Sequence, residues 1–445
     1  MKWRALWLLV RPTRSDFSTT LLPIITFAVI GMVVFFVTAL ARIFWVVQDS
    51  TDGYKILAVA LLAVLLVPIA SLGSSAAQLS ARRRDERLAT LRLIGASARW
   101  VRSTALIEAS MLAAAGVVIG ILGYWLIAPL LSLLVVAGVQ VPLGAVWLPL
   151  VWIPFLGFAV VSVAIISAVS GLRQVVISPL GVRARVDAPR IHWVRLLISV
   201  ALVIAAIILL QSVSVSWGAI GITAAIVGVL LAVMVAQNVA GPFVVRLVAR
   251  RKLGVATTAA ELIAARGILE SPKSIWRQVS GVALTSFIVV PVGAVLGYLN
   301  FIETSVGILT AQQILFFGDI RTIILAVVFL SFVLVVCSVV IIQSAAVLER
   351  RDLYVSLSRI GMKVDVIHAS RRISLMLALK VASIGSAILA STLVSPVLAV
   401  VAFNSPLFIL ATILCIVTGV WLVRLSLLST RPLLRSILAN PDRAL

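Results

Sequence analysis

The chain has 445 residues, 62% of them hydrophobic and 12% charged, with a formal net charge of +22. Its apolar stretches are long enough to cross ~30 Å of hydrocarbon as helices, and they run continuously instead of alternating, so the chain reads as a polytopic helical membrane protein and not as a barrel or a large soluble domain. Apart from Arg42, Lys55, Arg321 and Lys380, the basic residues gather in or beside the N-terminal segment, alternate loops and the C-terminal tail; this is the positive-inside pattern and speaks against nucleic-acid binding.

In chain order, Met1-Lys2-Trp3-Arg4 gives a basic start, but Arg11, Arg14 and Asp16 interrupt the approach to the first apolar run, so a retained anchor is expected and not a cleaved signal peptide. Ten spans are expected, at about 21–46, 56–80, 105–134, 146–170, 196–213, 219–244, 279–299, 322–342, 374–400 and 407–427. Only Trp217-Gly218 and a few serines separate the fifth from the sixth. An even count with this charge asymmetry places both termini in the cytoplasm. Cys337 and Cys415 fall inside spans as small apolar residues, which implies neither a disulfide framework nor a metal site.

One segment occurs twice. Arg83-Arg84-Asp85-Glu86-Arg87-Leu88-Ala89-Thr90-Leu91-Arg92-Leu93-Ile94-Gly95 follows span two, and Arg350-Arg351-Asp352-Leu353-Tyr354-Val355-Ser356-Leu357-Ser358-Arg359-Ile360-Gly361 follows span eight. The likeness extends to proline-broken lead-ins, Leu9 to Phe17 before span one and Leu269 to Arg277 before span seven, and to the exits Ile177 to Ala184 and Ser429 to Ser436. Such self-similarity marks a structural repeat. The expected organisation is a first four-helix unit (1–185), a two-helix linker (186–250) and a second four-helix unit (251–445). Because four is even, the two units run in the same direction, related by an axis along the membrane normal.

A helix from about Gln78 to Leu93, stopped by Gly95, would present mixed charge to the cytoplasm with Leu88 and Leu91 at helical spacing, a form suited to the groove of a soluble partner. The plainer alternative is a solvated basic loop. No Gly-x-x-x-x-Gly-Lys-Ser/Thr loop is present, so any ATP and Mg would be bound by a separate chain, and none by this one.

The string from Arg82 to Gly95, continued by Ala96-Ser97, a basic stretch and Leu106-Ile107-Glu108-Ala109, resembles the signature of FtsX/MacB-type (type VII) permeases of ABC transporters. The ten-span, two-unit layout is most similar to the BceB branch, the permeases of antimicrobial-peptide resistance transporters. This chain departs from that branch between spans seven and eight, where Asn300 to Arg321 stands in place of a large extracellular domain. The second copy is degenerate, with Gly361-Met362-Lys363 for Gly95-Ala96-Ser97 and Ser374 near the position of Glu108. The resemblance implies an all-α membrane permease of mechanotransmission type in a bacterial cytoplasmic membrane. It implies two cytoplasmic ABC ATPase subunits as partners, membrane lipids around the chain, and a sensor kinase or other membrane protein as a further candidate partner. Arg83, Arg84, Asp85, Glu86, Arg87, Leu91, Arg92 and Gly95, with Arg350, Arg351, Asp352, Arg359 and Gly361, would couple to the ATPases. The substrate would be an amphiphile extracted or exported from the membrane: an antimicrobial peptide, lipid, haem-like molecule or hydrophobic drug. The alternatives are a secondary transporter, which would need a polar midplane site of broken helices, and a signal relay that transports nothing.

Intramembrane ionisable residues are candidates by position. Glu108 could pair with Arg99 or Arg102, or relay protons; Lys380 could snorkel to the inner surface or meet substrate. Arg42, Asp49, Asp52 and Lys55 gather at the outer ends of spans one and two, and Glu303, Asp319 and Arg321 above spans seven and eight. They read either as a charged vestibule or as markers of the water interface. Gly116, Gly120 and Gly123 have the spacing that lets helices approach closely.

Overall fold

The computed structural model describes residues 17–47, 53–93, 97–177, 193–305, 309–349 and 351–429. Within them the chain forms α1 (Phe17–Val46), α2 (Gly53–Leu93), α3 (Ala98–Ile127), a hairpin of β1 (Val135–Val136) and β2 (Val139–Gln140), α4 (Leu143–Val146) and α5 (Trp152–Ile177). It continues with α6 (Trp193–Ser212), α7 (Gly218–Gly254), α8 (Ala259–Glu270), α9 (Pro272–Ser305), α10 (Ala311–Glu349), α11 (Arg351–Arg359), α12 (Val364–Leu393), α13 (Ser395–Asn404) and α14 (Pro406–Ser429). The chemistry of the runs accounts for this: in hydrocarbon every backbone polar group must be satisfied within its own segment, which a helix does.

Among the described residues nine helices are long and apolar enough to cross a membrane. They correspond to nine of the ten expected spans; the remaining one, span four, falls in α5, whose apolar stretch Trp152–Ile166 is shorter than the rest.

Several boundaries differ from the sequence-based expectation: span four begins at Trp152 and not at 146, span seven begins at Pro272 and not at 279, and three further differences have a local reason. The α-helix of span three ends at Ile127 and tightens into a 3-10 turn, Ala128–Leu133, because Pro129 has no N–H to continue the ladder. Span nine is two helices, since Ser395-Pro396 ends α12 at Leu393 and opens α13. Span two and the charged segment after it form a single helix, α2, and not a span followed by a separate element. Spans five and six are separated by a 3-10 turn, Val215–Trp217, and by Gly218 at φ +66°.

Packing is dense where side chains are small. α1 lies on α3 and α9 on α12, while α2 touches α1, α5, α7, α9 and α10. A continuous apolar core runs through α1, α2, α3, the hairpin, α7, α9 and α10. A second core joins α7, α8, α9, α10, α12 and α14 around Trp276 and Val279. Between hydrocarbon-solvated helices such contact, and not exclusion of water, supplies the attraction. α8 carries its own start signal: the Thr258 hydroxyl accepts the Glu261 amide at 3.3 Å and the Glu261 carboxylate accepts the Thr257 amide at 3.1 Å, a capping box. Pro272 then opens α9 at the position where a missing N–H costs nothing.

Candidate functional site

The arginine-rich end of the molecule is built from the extension of α2. Arg83, Arg84, Asp85, Glu86, Arg87, Leu91 and Arg92 all lie on this helix, and it runs unbroken back to Gly53; the positions of their side chains, and Gly95 itself, lie outside the described residues. A helix of 41 residues is about 60 Å long at ~1.5 Å per residue, so roughly half of it reaches beyond a bilayer core. Pro68 sits inside it and removes one hydrogen bond, which provides a bending point between the two ends.

The second copy follows α10. Arg350 lies outside the described residues; Arg351 and Asp352 lie on α11, and the exposed Arg359 is its last residue. Gly361 takes φ +92°, and the amides of Ile360 and Met362 bond to the carbonyls of Ser356 and Leu357, a left-handed stop that favours glycine. After the first copy, Ser97 caps α3 by accepting the Trp100 amide at 3.4 Å, whereas Lys363 starts α12 without a side-chain cap.

At the opposite end, charged and aromatic residues close a polar seam. The Tyr54 hydroxyl at the start of α2 donates to Asp319 Oδ2 on α10 at 2.6 Å, and the Ala137 amide in the hairpin turn donates to the same oxygen at 2.8 Å. Tyr54 is 6% and Asp319 4% exposed, so the carboxyl group is buried and does not line an open space. Phe44 stacks with the Tyr54 ring and Phe316 meets it edge-on at 5.3 Å. The hairpin's two-residue turn, Ala137-Gly138, has φ of 52° and 78°; this matches the twist of a tight hairpin, but left-handed backbone at alanine costs ~1–2 kcal/mol. Gly138 faces the Leu315 side chain. Arg42 bridges α1 to the segment after the hairpin, donating to the carbonyls of Ala145 (3.2 Å) and Trp147 (2.8 Å). Behind it the fully buried Tyr124 donates to the Val146 carbonyl and accepts the Leu148 amide.

Arg321 pairs with Glu303 at 2.6 Å, tying α10 to α9, with both side chains partly exposed. Asp49 and Asp52 lie outside the described residues. Arg42, Glu303, Asp319 and Arg321 of the expected charged rim are thus each engaged with protein groups.

Deeper in the bundle, Glu108 is half-buried on α3 and Lys380 is exposed on α12. Arg371 on α12 donates to the fully buried Gln343 on α10 at 3.0 Å. Trp276 lies across Gly241, where a side chain would collide with its ring, and its indole N–H donates to Asn238 at 3.0 Å. An apolar cavity of about 360 Å³ opens between α1, α2 and α5, walled by Leu62, Leu66, Ile69 and Gly73 of α2 with Phe27 and Val160. Its Thr38 hydroxyl bonds to the Val34 carbonyl of its own helix, so the cavity offers hydrocarbon contact. Among the described residues no group of three His, Cys, Asp or Glu side chains gathers to hold a metal.

Sequence reasoning missed Tyr54, Tyr124 and the hairpin. Tyr54 is 265 residues from its partner, so no local pattern could pair them. Ala137-Gly138 between Val135-Val136 and Val139-Gln140-Val141 is the local signal that was available.

Residues 56–177 match the family of FtsX-like permease C-terminal domains. The match begins near the start of α2, takes in Arg83 to Gly95, α3 and the hairpin, and ends with α5. It supports placing the chain among FtsX/MacB-type ABC permeases, which are themselves non-enzymatic and work with cytoplasmic ABC ATPases. No curated protein matches the chain in sequence.

Proposed function

We propose that the chain is the membrane subunit of a mechanotransmitting ABC transporter that uses ATP hydrolysed by two copies of a separate cytoplasmic ATPase to extract or export an amphiphile. The observation that carries this reading is α2: one helix joins the Arg83 to Arg92 segment, inside the family match, to Tyr54 in the seam at the other end. A displacement applied to the charged segment travels along a hydrogen-bonded rod and reaches the contact with α10. On this reading the arginine-rich end is cytoplasmic, as the positive-inside rule requires, and the seam is at the outer surface.

The two-unit organisation, residues 1–185 and 251–445 about a linker at 186–250, belongs to the same proposal. It is supported by the corresponding pairs α1 with α3 and α9 with α12, and by α2 packing on α9 and α10 across the centre. Arg351, Asp352, Arg359 and Gly361 form the second docking element. The apolar cavity on α2 supports a hydrocarbon-bearing substrate, and Glu303 and Arg321, with Asp49 and Asp52, are its candidate charged rim.

The test is biochemical. The purified chain should hydrolyse no ATP, and activity should appear when an ABC ATPase is supplied, with two copies bound per chain. Robust hydrolysis by the isolated chain, or proton-coupled uptake with no ATPase present, would overturn the assignment.

A further inference from the structure

We propose that Asp319 is the release point of the transport cycle: its carboxyl group fastens the outer end of α2 through Tyr54 and seats the hairpin through Ala137, and opening requires both bonds to break. The inference rests on the function proposed above and adds to it the residue at which the rod's motion is resisted.

Three observations converge on it. Both donors to Asp319 Oδ2 come from elements distant in sequence, Tyr54 at 265 residues and the Ala137 amide at 182, so this one oxygen ties α10 to both α2 and the hairpin. The two bonds are short, Tyr54 and Asp319 are buried and Ala137 is partly so, and loss of the carboxyl would leave a hydroxyl and an amide without that partner. The turn that aims the Ala137 amide holds left-handed backbone at alanine, a conformation that persists where its surroundings enforce it. Apolar side chains could have joined these helices without such groups. A hydrogen-bonded joint close to a helix end has two definite states, since water can take over both donors once the ends part. Because Tyr54 and the Arg83 to Arg92 segment share α2, the joint lies at the far end of the element on which the ATPases would act.

The experiment measures hydrogen exchange at the Ala137 amide in nanodiscs, with the isolated chain and with the chain–ATPase complex, for wild type, Asp319→Asn and Tyr54→Phe. Tyr54→Phe keeps the ring between Phe44 and Phe316 and removes only the hydroxyl. In the isolated chain each variant should raise exchange by about tenfold, the factor that one hydrogen bond of ordinary net strength converts to. In the complex, trapping the ATP-bound state should raise wild-type exchange by a similar factor, and Tyr54→Phe should retain basal hydrolysis while losing substrate stimulation. Unchanged exchange in both isolated variants, or wild-type exchange that ignores ATP while hydrolysis proceeds, would overturn the proposal. If no ATPase joins the chain, the function proposed above fails, and the isolated-chain exchange alone decides the joint: a rise upholds it and no rise removes it.

Discussion

Gly120 on α3 and Gly31 on α1 meet backbone to backbone. A Cβ added at Gly31 would stand 3.7 Å from Gly120 Cα, and one added at Gly120 would fall 2.7 Å from the Ala28 carbonyl oxygen and 3.2 Å from Gly31 C. Gly116, one turn earlier, would meet Phe27 Cβ at 2.5 Å and the Ile24 carbonyl at 2.8 Å. The small residues therefore set the distance between the two helices. Gly116→Ala and Gly120→Ala should each cost ~1–3 kcal/mol as overpacking and lower the thermal midpoint of the purified chain. Gly144→Ala, at a position with nothing within 4 Å of the new methyl, should leave it unchanged and serves as the control.

The two docking elements should contribute unequally. The first copy carries the pair Asp85-Glu86 and is followed by the Ser97 cap, whereas the second has Asp352-Leu353 there and is followed by the uncapped Lys363. Charge reversal at Arg87 or Arg92 should therefore reduce ATPase co-purification more than reversal at Arg359. Equal loss from either side would show that the difference in build has no mechanical meaning.

The stop after α11 depends on backbone freedom at Gly361. Gly361→Ala places a side chain at φ +92° at a cost of ~1–2 kcal/mol, so the last turn of α11 should fray. Faster amide exchange at Ile360 and Met362 with an unaltered span α12 is the expected result; unchanged exchange would mean that the turn is held by other contacts.

Acid should loosen α8. The Thr257 amide, and after it the nearby Lys252 ammonium, hold the Glu261 carboxyl below its usual value. A depressed carboxylate contributes stability that is present above its unfolded-state pKa and lost as pH falls through the folded one. Amides of the first turn of α8 should exchange faster, relative to the intrinsic rate, once the pH is below the ordinary glutamate value of 4.5 than they do at neutral pH, and Glu261→Gln should abolish that difference.

Much of this architecture was legible because hydrocarbon imposes simple demands: continuous apolar runs marked the spans, and the Gly116 to Gly123 spacing marked a close-packing face on span three, though not its partner α1. The break in span nine was also on the page, since Ser395-Pro396 cannot continue a helix, but the unbroken apolar run hid it. The continuity of α2 was hidden in the same way, because the change from apolar to arginine-rich composition suggested two elements where the backbone makes one. The seam was not legible. Asp319 reads as an ordinary interfacial charge until the fold brings Tyr54 and Ala137 to it, and Arg42 until the carbonyls of Ala145 and Trp147 arrive.

The central claim is that α2, with its bending point at Pro68, carries displacement from its charged end to the seam as a continuous helix, and the most direct test adds a second break between its two working ends. Ala76→Pro, about two turns from Pro68 on the side of Arg83, removes a further ladder hydrogen bond and costs roughly 3 kcal/mol of helix. In the reconstituted complex, ATPase binding and basal hydrolysis should persist while substrate-stimulated hydrolysis and transport fall to background. Transport at the wild-type rate through the broken helix would contradict the account.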